Sequence, residues 1–525
     1  MIGRALLLFT GVLLMNACQP IKKEEIQFPK TDLAAAPLIP KPVKTMATHS
    51  AFGLDQNTVI YTTPSAPGFE KVGQFLSEQI KVQTGLDIAV NRTDDETPID
   101  RFVYINQSDN DSLKAPESYQ LYIKKDSIFL NAQTAEGAFR GIQTLRQLIP
   151  EKSNDTLTDH PLWPIPTGKI MDGPTFAYRG AMLDVARHFF SVEEVKKYMD
   201  VLAYYKYNAL HLHLTDDQGW RIEIKSWPRL TEIGGEKEVG GGAGGFFTQE
   251  DFKELVQYAS ERYITIIPEV DMPGHTNAAS LSYPFLNGNG KPIKSYTGTQ
   301  VGFSTFDARK DTVYAFLDDV IREIAAISPG PYFHIGGDES HVTKKADYIL
   351  FVEKVEKIVK KHGKKAIGWN EIAQAAIDSS TIVQLWNEPH NAIKAIKSGS
   401  KIIMSPAEKT YVDMKYDSLS QYGLSWAGFI PVDVAYKWHP ESYSEELPKE
   451  NILGIEAPLW SETISNSAEL EYMAFPRVIG LGELGWSTPE HCNWEDYRKR
   501  LAQQAPYLRR MNVNYYPSKL VEWQE

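Results

Sequence analysis

The sequence predicts an α/β fold: a (β/α)8 TIM barrel preceded by a small α+β domain. Three observations carry that reading. Beyond Lys169, short β-rich apolar runs alternate with helical stretches, the rhythm of parallel βα units. The runs number eight, enough to close a barrel, and fall at 181–185, 209–214, 264–270, 332–335, 365–369, 382–386, 401–404 and 452–457. Almost every run ends in polar or aromatic residues, as expected where strand C-termini converge on one face. An open doubly wound sheet could use the same strands, but no glycine fingerprint follows the first of them.

Residues 1–17 read as a signal peptide, with Arg4 at its charged start, an apolar run over 5–15 and the small Ala17 before Cys18. The run is shorter than the ~20 residues a bilayer-spanning helix needs. The LMNAC stretch at 14–18 is similar to a bacterial lipoprotein cleavage box, although Asn16 is unusual at its place. Lipidation of Cys18 would tether a soluble fold to a membrane as an exported, periplasmic or outer-membrane-associated lipoprotein, and plain secretion is the competing expectation. With Cys18 lipidated, Cys492 is the one remaining thiol, and no disulfide can form within the chain.

Residues 18–45 carry Lys22, Lys23, Glu24 and Glu25 and then four prolines, a composition expected to form a linker. A small α+β domain is expected over 46–168. It holds a helix at 71–84, an extended run at 101–106, a hairpin of 118–123 with 127–131, and a second helix at 135–148 stopped by Pro150. No catalytic constellation is visible in it. The barrel with C-terminal helices takes 169–525. The glycine patch at 240–245 does not follow a strand directly and lacks the Lys-Ser/Thr ending of a phosphate loop, so a mobile loop near the barrel mouth is the expectation.

Composition narrows the function. An apolar content of 42% and a charged content of 23% are those of a globular protein, excluding disorder and a polytopic membrane protein. A net charge of −12 argues against nucleic acid as a partner. Eleven Trp and 26 Tyr supply flat apolar faces that suit sugars, although most of them are expected in the core.

The strand ends in order carry Arg187 and His188; Asp216 and Asp217; Asp271 and His275; Asp338 and Glu339; Trp369, Asn370 and Glu371; Trp386, Asn387 and Glu388; Tyr411 and Asp413; and Trp460 and Glu462. A barrel brings all of these to one pocket. Asp338 and Glu339 are adjacent, and neighbours on a regular strand face opposite ways, so Gly336 and Gly337 are the device for turning both inward. Two carboxylates held close cannot both ionise easily, which makes one of them a proton donor near neutral pH. His211 and His213, or Asp216 with Asp217, leave a metal site open as a second reading, but no third ligand stands at suitable spacing and neither a metal nor a cofactor is called for.

The stretches GAMLDVARHFF (180–190), HLHLTDDQGW (211–220), PEVDMPGHT (268–276), HIGGDES (334–340), IGWNEI (367–372), QLWNE (384–388), YVDMKY (411–416) and EAPLWSE (456–462) resemble the family 20 glycoside hydrolases, the β-N-acetylhexosaminidases. EGAFRGIQTLRQL (136–148) resembles that family's companion domain. The resemblance implies exo-acting hydrolysis of terminal β-linked N-acetylglucosamine or N-acetylgalactosamine from glycans or chitooligosaccharides. It also implies substrate-assisted retention, in which the 2-acetamido oxygen rather than an enzyme carboxylate attacks the anomeric carbon. By the same resemblance Glu339 is the general acid and base, and Asp338 orients the acetamido N–H. Tyr411 binds the acetamido oxygen, and Trp369, Trp386 and Trp460 wall the sugar. Arg187 with Asp413 and Glu462 binds the outer hydroxyls, and His275, Asp216 and Asp271 support Glu339 from behind. The alternatives are an endo-acting chitinase-like hydrolase and an inactive glycan-binding protein. The sequence leaves the natural glycan and the oligomeric state open.

Overall fold

The computed structural model describes residues 28, 30–93, 101–110, 113, 115–153, 160–291 and 293–524. The signal peptide and Cys18 lie outside them. Among the described residues no helix is long and apolar enough to cross a membrane.

The first unit is a seven-stranded mixed sheet of β1 (Lys44–Leu54), β2 (Val59–Thr62), β3 (Val90–Arg92), β4 (Phe102–Gln107), β5 (Tyr119–Ile123), β6 (Ser127–Ala132) and β7 (Trp163–Asp172), in the order β1-β7-β5-β6-β4-β2-β3. Helices Phe69–Thr84 and Ala135–Leu148 pack on it and on each other. The second helix tolerates Gly137 and Gly141 because it lies so close to the sheet. A Cβ on Gly141 would stand 2.3 Å from Leu130 Cδ1, and one on Gly137 2.6 Å from the Ser118 carbonyl oxygen.

Two expectations need correction. The described part of the linker is not extended chain, because Leu33, Leu38 and Ile39 are buried to 3% exposure or less. Ile39 is held through both backbone groups by the Gln147 side chain, at 2.9 and 2.7 Å, and Lys41 N donates to Glu483 Oε2 at 2.8 Å. Three apolar residues and a glutamine clamp outweigh the polar composition. The boundary at 168 also falls inside β7, which pairs with β1 and β5 and runs to Asp172.

The second unit is a closed barrel of eight parallel strands: β8 (Tyr178–Asp184), β9 (Ala209–His213), β10 (Thr265–Glu269), β11 (Tyr332–His334), β12 (Lys365–Trp369), β13 (Ile382–Leu385), β14 (Ile402–Met404) and β15 (Ile452–Leu459). All eight expected runs supply a strand. Helices Val192–Tyr204, Gln249–Ser260, Asp311–Ile327 and Lys345–Lys361 follow the first four strands and cover the outside. The first two start at capping boxes. Before Gln249, for example, Thr248 Oγ1 accepts from Asp251 N at 3.1 Å, while Asp251 Oδ2 accepts from Thr248 N at 2.9 Å, a capping box.

Buried charges fix one unit on the other. Arg140, fully buried, donates to Glu117 Oε2 at 2.8 Å and to the carbonyl oxygens of Tyr207 and Tyr263 at 3.2 and 2.8 Å. Lys206 Nζ lies 2.9 Å from Asp172 Oδ2, whose other oxygen accepts from the Trp486 indole N–H at 2.9 Å. The barrel mouth, where the strands end, faces the opposite way from the strand starts, beside which Lys206 and Asn208 lie.

Candidate active site

The Gly336-Gly337 turn brings the adjacent carboxylates together. Gly336 has φ +65° and Gly337 φ +104°, and Glu339 itself has φ +46°, so the chain leaves β11 in the left-handed region that glycine adopts freely. Asp271 holds the turn, its Oδ1 accepting from Gly337 N at 3.0 Å; a Cβ on Gly336 would fall 1.7 Å from that same oxygen. Tyr348 donates to the Gly337 carbonyl at 2.6 Å from behind.

Asp338 and Glu339 open on a cavity of about 350 Å³ at the barrel mouth. Arg187, Asp413 and Glu462 line it, as do Trp386, Tyr411 and Trp460, so eight of the sequence-predicted residues meet in one pocket. Trp369 does not reach the wall. It is 1% exposed, packs 5.7 Å from the Trp460 ring, and donates its indole N–H to Glu269 Oε1 at 3.1 Å. Trp369 therefore backs Trp460.

Burial first, and then the charge of Asp338, push the Glu339 carboxyl up to about 7. That is the range in which a carboxyl can both give and take a proton at neutral pH. His275 Nε2 stands 3.7 Å from both Asp338 Oδ2 and Glu339 Oε2, and its Nδ1 contacts Asp216 Oδ1 at 3.1 Å. Burial works against a charge on His275, but Asp216, Asp271 and Asp338 around it hold its pKa well above the ordinary imidazole range. Asp216 is opposed by burial too, yet Arg187 and His275 hold it well below the usual carboxylate range. Asp271, buried beside Asp338, is pushed well above that range.

Arg187 lies 3.2 Å from Asp184 Oδ2 and 2.8 Å from Asp216 Oδ2, with its guanidinium 4.9 Å over the Trp460 ring. Its buried Nε and Asp338 Oδ1 have no hydrogen-bond partner among the described residues. A buried polar atom without a partner costs about 1–3 kcal/mol, which a polyhydroxylated amide can offset. Asp413 is raised by burial and then by the charge of Glu462, so this end of the pocket favours a shared proton or hydroxyl donors.

His211 and His213, left open above as metal ligands, are held by carboxylates. His211 lies 2.9 Å from Glu456 Oε1 and 3.0 Å from Glu269 Oε2; His213 contacts Glu269 through Nδ1 and Asp216 through Nε2 at 2.9 Å. The sets His211, Glu269, His334 and Asp216, Asp271, His275 have donor atoms within 4.8 Å of one another and could hold an ion; each residue in them is hydrogen-bonded through at least one atom, while His211 Nε2, His334 Nε2, Asp271 Oδ2 and His275 Nε2 have no hydrogen-bond partner among the described residues. Asp217 accepts from Asn277 N at 2.9 Å and from Ser304, which makes it a brace for the loop after β10.

Sequence reasoning gave no role to Asp184, Glu269 or Glu371 and overlooked Thr299, Val301, Leu424 and Trp426 on the pocket wall. Asp184 stands three residues before Arg187, and Glu269 two before Asp271, so spacing could have found both. The four wall residues come from long loops, where spacing carries no such signal. The loop holding Gly240 is tied by Val239 N to the Arg187 carbonyl and by Gly240 N to the Thr297 carbonyl, both at 2.9 Å, which places it beside the mouth.

The model of the glycosyl hydrolase family 20 catalytic domain matches residues 176–348 and 340–489, and that of the family's domain 2 matches 35–172. A β-N-acetylhexosaminidase of Cellulomonas fimi is 36% identical over 93% of this chain and 97% of its own length. The solved GH20 β-N-acetylhexosaminidase of Streptomyces coelicolor shares 42% identity and a TM-score of 0.88 over 94% of this chain and all of that one. A mutant Streptomyces plicatus β-hexosaminidase solved with its product GlcNAc shares 41% identity and a TM-score of 0.87, over 95% of this chain and 100% of that one. With a matching model for each of its two units and a neutral-range acid beside a second carboxylate in one barrel-mouth pocket, the chain belongs to glycosyl hydrolase family 20.

Proposed function

We propose that the protein removes terminal, non-reducing β-linked N-acetylhexosamine residues by substrate-assisted retention. The observation that carries the reading is the single cavity in which Glu339, Asp338 and Tyr411 face Trp386 and Trp460, closed off by Arg187, Asp413 and Glu462. A pocket closed by hydroxyl-binding groups takes a chain end, which favours exo action over a chitinase-like endo cleft.

The 2-acetamido oxygen attacks the anomeric carbon, and the glycosidic bond breaks as Glu339 gives its proton to the leaving oxygen. Asp338 accepts a hydrogen bond from the acetamido N–H and balances the charge of the oxazolinium-like intermediate. Tyr411, buried and kept protonated first by burial and then by the charge of Asp338, donates to the acetamido oxygen and aligns it. Glu339, now a carboxylate, then takes a proton from water as that water opens the intermediate, restoring the β configuration. Trp386 and Trp460 wall the acetamido group and sugar face, Trp369 backs them, and Arg187 with Asp413 and Glu462 holds the outer hydroxyls. His275, Asp216 and Asp271 keep Glu339 in its range. The substrates in this reading are β-N-acetylhexosaminide glycans or chitooligosaccharides. No cofactor takes part.

The test is hydrolysis of an aryl β-N-acetylglucosaminide beside the matching aryl β-glucoside, with wild type and Glu339→Gln. Cleavage of the acetamido sugar alone, lost in the variant, is expected; no cleavage of either sugar would favour a glycan-binding protein. We further propose that the chain is exported and lipidated at Cys18. Export with a diacylglyceryl mass on the mature N-terminus, abolished by Cys18→Ser, is expected, and an unmodified secreted protein would refute the anchor.

A further inference from the structure

The tripeptide Trp-Asn-Glu occurs twice, at 369–371 and 386–388, where the neighbouring strands β12 and β13 reach the barrel mouth. The structure ties the two copies together. Asn370 Nδ2 donates to Asn387 Oδ1 at 2.6 Å, and Asn370 Oδ1 accepts from Trp386 N at 3.3 Å. Glu371 Oε2 accepts from the Trp386 indole N–H at 3.0 Å, and its Oε1 accepts from Asn387 Nδ2 at 3.4 Å. The faces of the same indole meet aromatic neighbours: Tyr411 lies 18° from parallel at 6.4 Å, and Trp426 stands edge-on at 6.0 Å. Trp386 is thus held along its N–H edge by a carboxylate and across its ring by packing. Glu371 does not line the cavity, and no step of the mechanism above uses it.

An indole has one donor, and a partly buried one takes up a fixed orientation when that donor has a single acceptor. Glu371 is that acceptor for Trp386. Its position is a costly one for an anion, because Asp338 and Glu339 approach it from the end of β11, and Tyr411 and Tyr348 offer it no positive charge. Burial first, and then the charge of Asp338, push its carboxyl up to about 7. A group held there against such opposition is expected to have a task, and the one it performs in the structure is to fix the ring that walls the pocket.

We infer that Glu371 is a positioning residue that pins Trp386 and thereby sets the size of the 2-acylamino group the pocket accepts. The inference rests on the reading of Trp386 as an acetamido wall. Without the tie the indole can tilt, which widens the pocket for a longer acyl chain and loosens the alignment of an acetyl oxygen for attack.

The test compares aryl β-glycosides of N-acetyl, N-propionyl and N-butyryl glucosamine on wild type, Glu371→Met and Glu371→Gln. Methionine keeps the volume and removes the acceptor together with a buried carboxyl that burial and the Asp338 charge already oppose. For Glu371→Met the kcat on the N-acetyl substrate should fall about tenfold or more, since misplacing a reacting group by about 1 Å costs on the order of 100-fold. The N-propionyl to N-acetyl ratio of kcat/KM should rise at least about fivefold, within the 10–200-fold that a methylene can be worth in a fitted pocket. Glu371→Gln keeps an oxygen for the indole N–H, so its ratio should stay at the wild-type value, while loss of a negative neighbour of Glu339 moves the alkaline limb of its pH profile to lower pH.

A wild-type acyl ratio in folded Glu371→Met would overturn the inference. So would a relaxed ratio in Glu371→Gln, which decides the matter even where the methionine variant does not fold. Wild type that cleaves the plain β-glucoside as readily as the acetamido sugar would instead sink the reading of the pocket on which the inference rests.

Discussion

Replacing Asp338 by Asn separates two effects that one carboxylate produces. Asp338 raises the Glu339 pKa through its charge, and in the proposed reaction it also stabilises the charge that develops on the acetamido nitrogen. In the structure Glu339 is lifted from 4.5 to about 7, with burial as the largest cause and Asp338 next, while His275 and Arg187 pull the other way. A like charge in contact shifts a carboxyl by one to three units, and since burial leads here, a shift of about one unit is assigned to Asp338. That is about 1.4 kcal/mol. The general acid must hold its proton, so activity falls as pH rises through the Glu339 pKa. Removing the Asp338 charge favours the Glu339 carboxylate and lowers that pKa. The alkaline limb of kcat/KM, which reports the free enzyme, should therefore move down by about one unit. The plateau should fall roughly 100- to 1,000-fold, the scale seen when one preorganised stabiliser of transition-state charge is lost. The assay is the pH profile of aryl N-acetylglucosaminide hydrolysis between pH 4 and 9 for both proteins. A lowered plateau with the limb unmoved would show that burial alone sets Glu339, and a limb moved upward would refute the electrostatic account.

Three further outcomes follow from the same site. Tyr411→Phe should lose about 100-fold in kcat with its melting temperature little changed, because the ring stays and only its hydroxyl, the donor to the acetamido oxygen and a partner of Trp460, is removed; steady-state kinetics beside a thermal melt checks it. Glu339→Gln should raise stability at pH 8 but not at pH 4. A carboxyl whose folded pKa is raised contributes fully below its unfolded pKa near 4.5 and loses that contribution as pH rises through about 7, and with its side chain 30% exposed the difference is about 1–2 kcal/mol, read by denaturant titration at both pH values. Gly336→Ala should lose activity and at least about 1–3 kcal/mol of stability, since its φ is +65° and the new methyl would fall on Asp271; activity like wild type would refute the role given to that turn.

The barrel was legible because its strands are apolar runs with chemistry at their ends, and all eight match observed strands. The helix at 135–148 was legible to the residue, for its apolar spacing is regular and Thr134 caps it by accepting from Gly137 N at 3.0 Å. What escaped has physical reasons. β7 contains Pro164 and Pro166, which read as turn residues, and the exposed first half of β1 alternates too weakly to signal a strand. Leu33, Leu38 and Ile39 are too few to outweigh a polar, proline-rich composition, and become core only where distant elements hold the segment, Gln147 at Ile39 and Glu483 at Lys41. In the site, every residue that the resemblance placed on the wall except Trp369 is there. Trp369 and Trp386 end adjacent strands within the same tripeptide, and only the packing of the barrel decides that one backs the pocket while the other faces it.

That packing is polar inside, and the chemistry depends on it. TIM-barrel interiors are usually filled with layers of branched apolar side chains. Here Glu269 stands among His211, His213, His334 and the Trp369 indole. The three histidines are not equivalent. Burial opposes charge on each, but Glu456 and Glu269 lift His211 to about 9, and Glu269 with Asp216 holds His213 well above the ordinary imidazole range, whereas His334 is left below its ordinary value and accepts the Gly336 N–H at 3.1 Å. Two cationic histidines thus alternate with Glu456, Glu269 and Asp216 in a chain from the barrel axis to His275, which ends 3.7 Å from Glu339. Removing one member would leave its partner charged, buried and unpaired, at a cost of about 3–5 kcal/mol, so the members hold one another in place. The position of the acid is consequently set by ion pairs and hydrogen bonds along the barrel axis as well as by the loop that carries it.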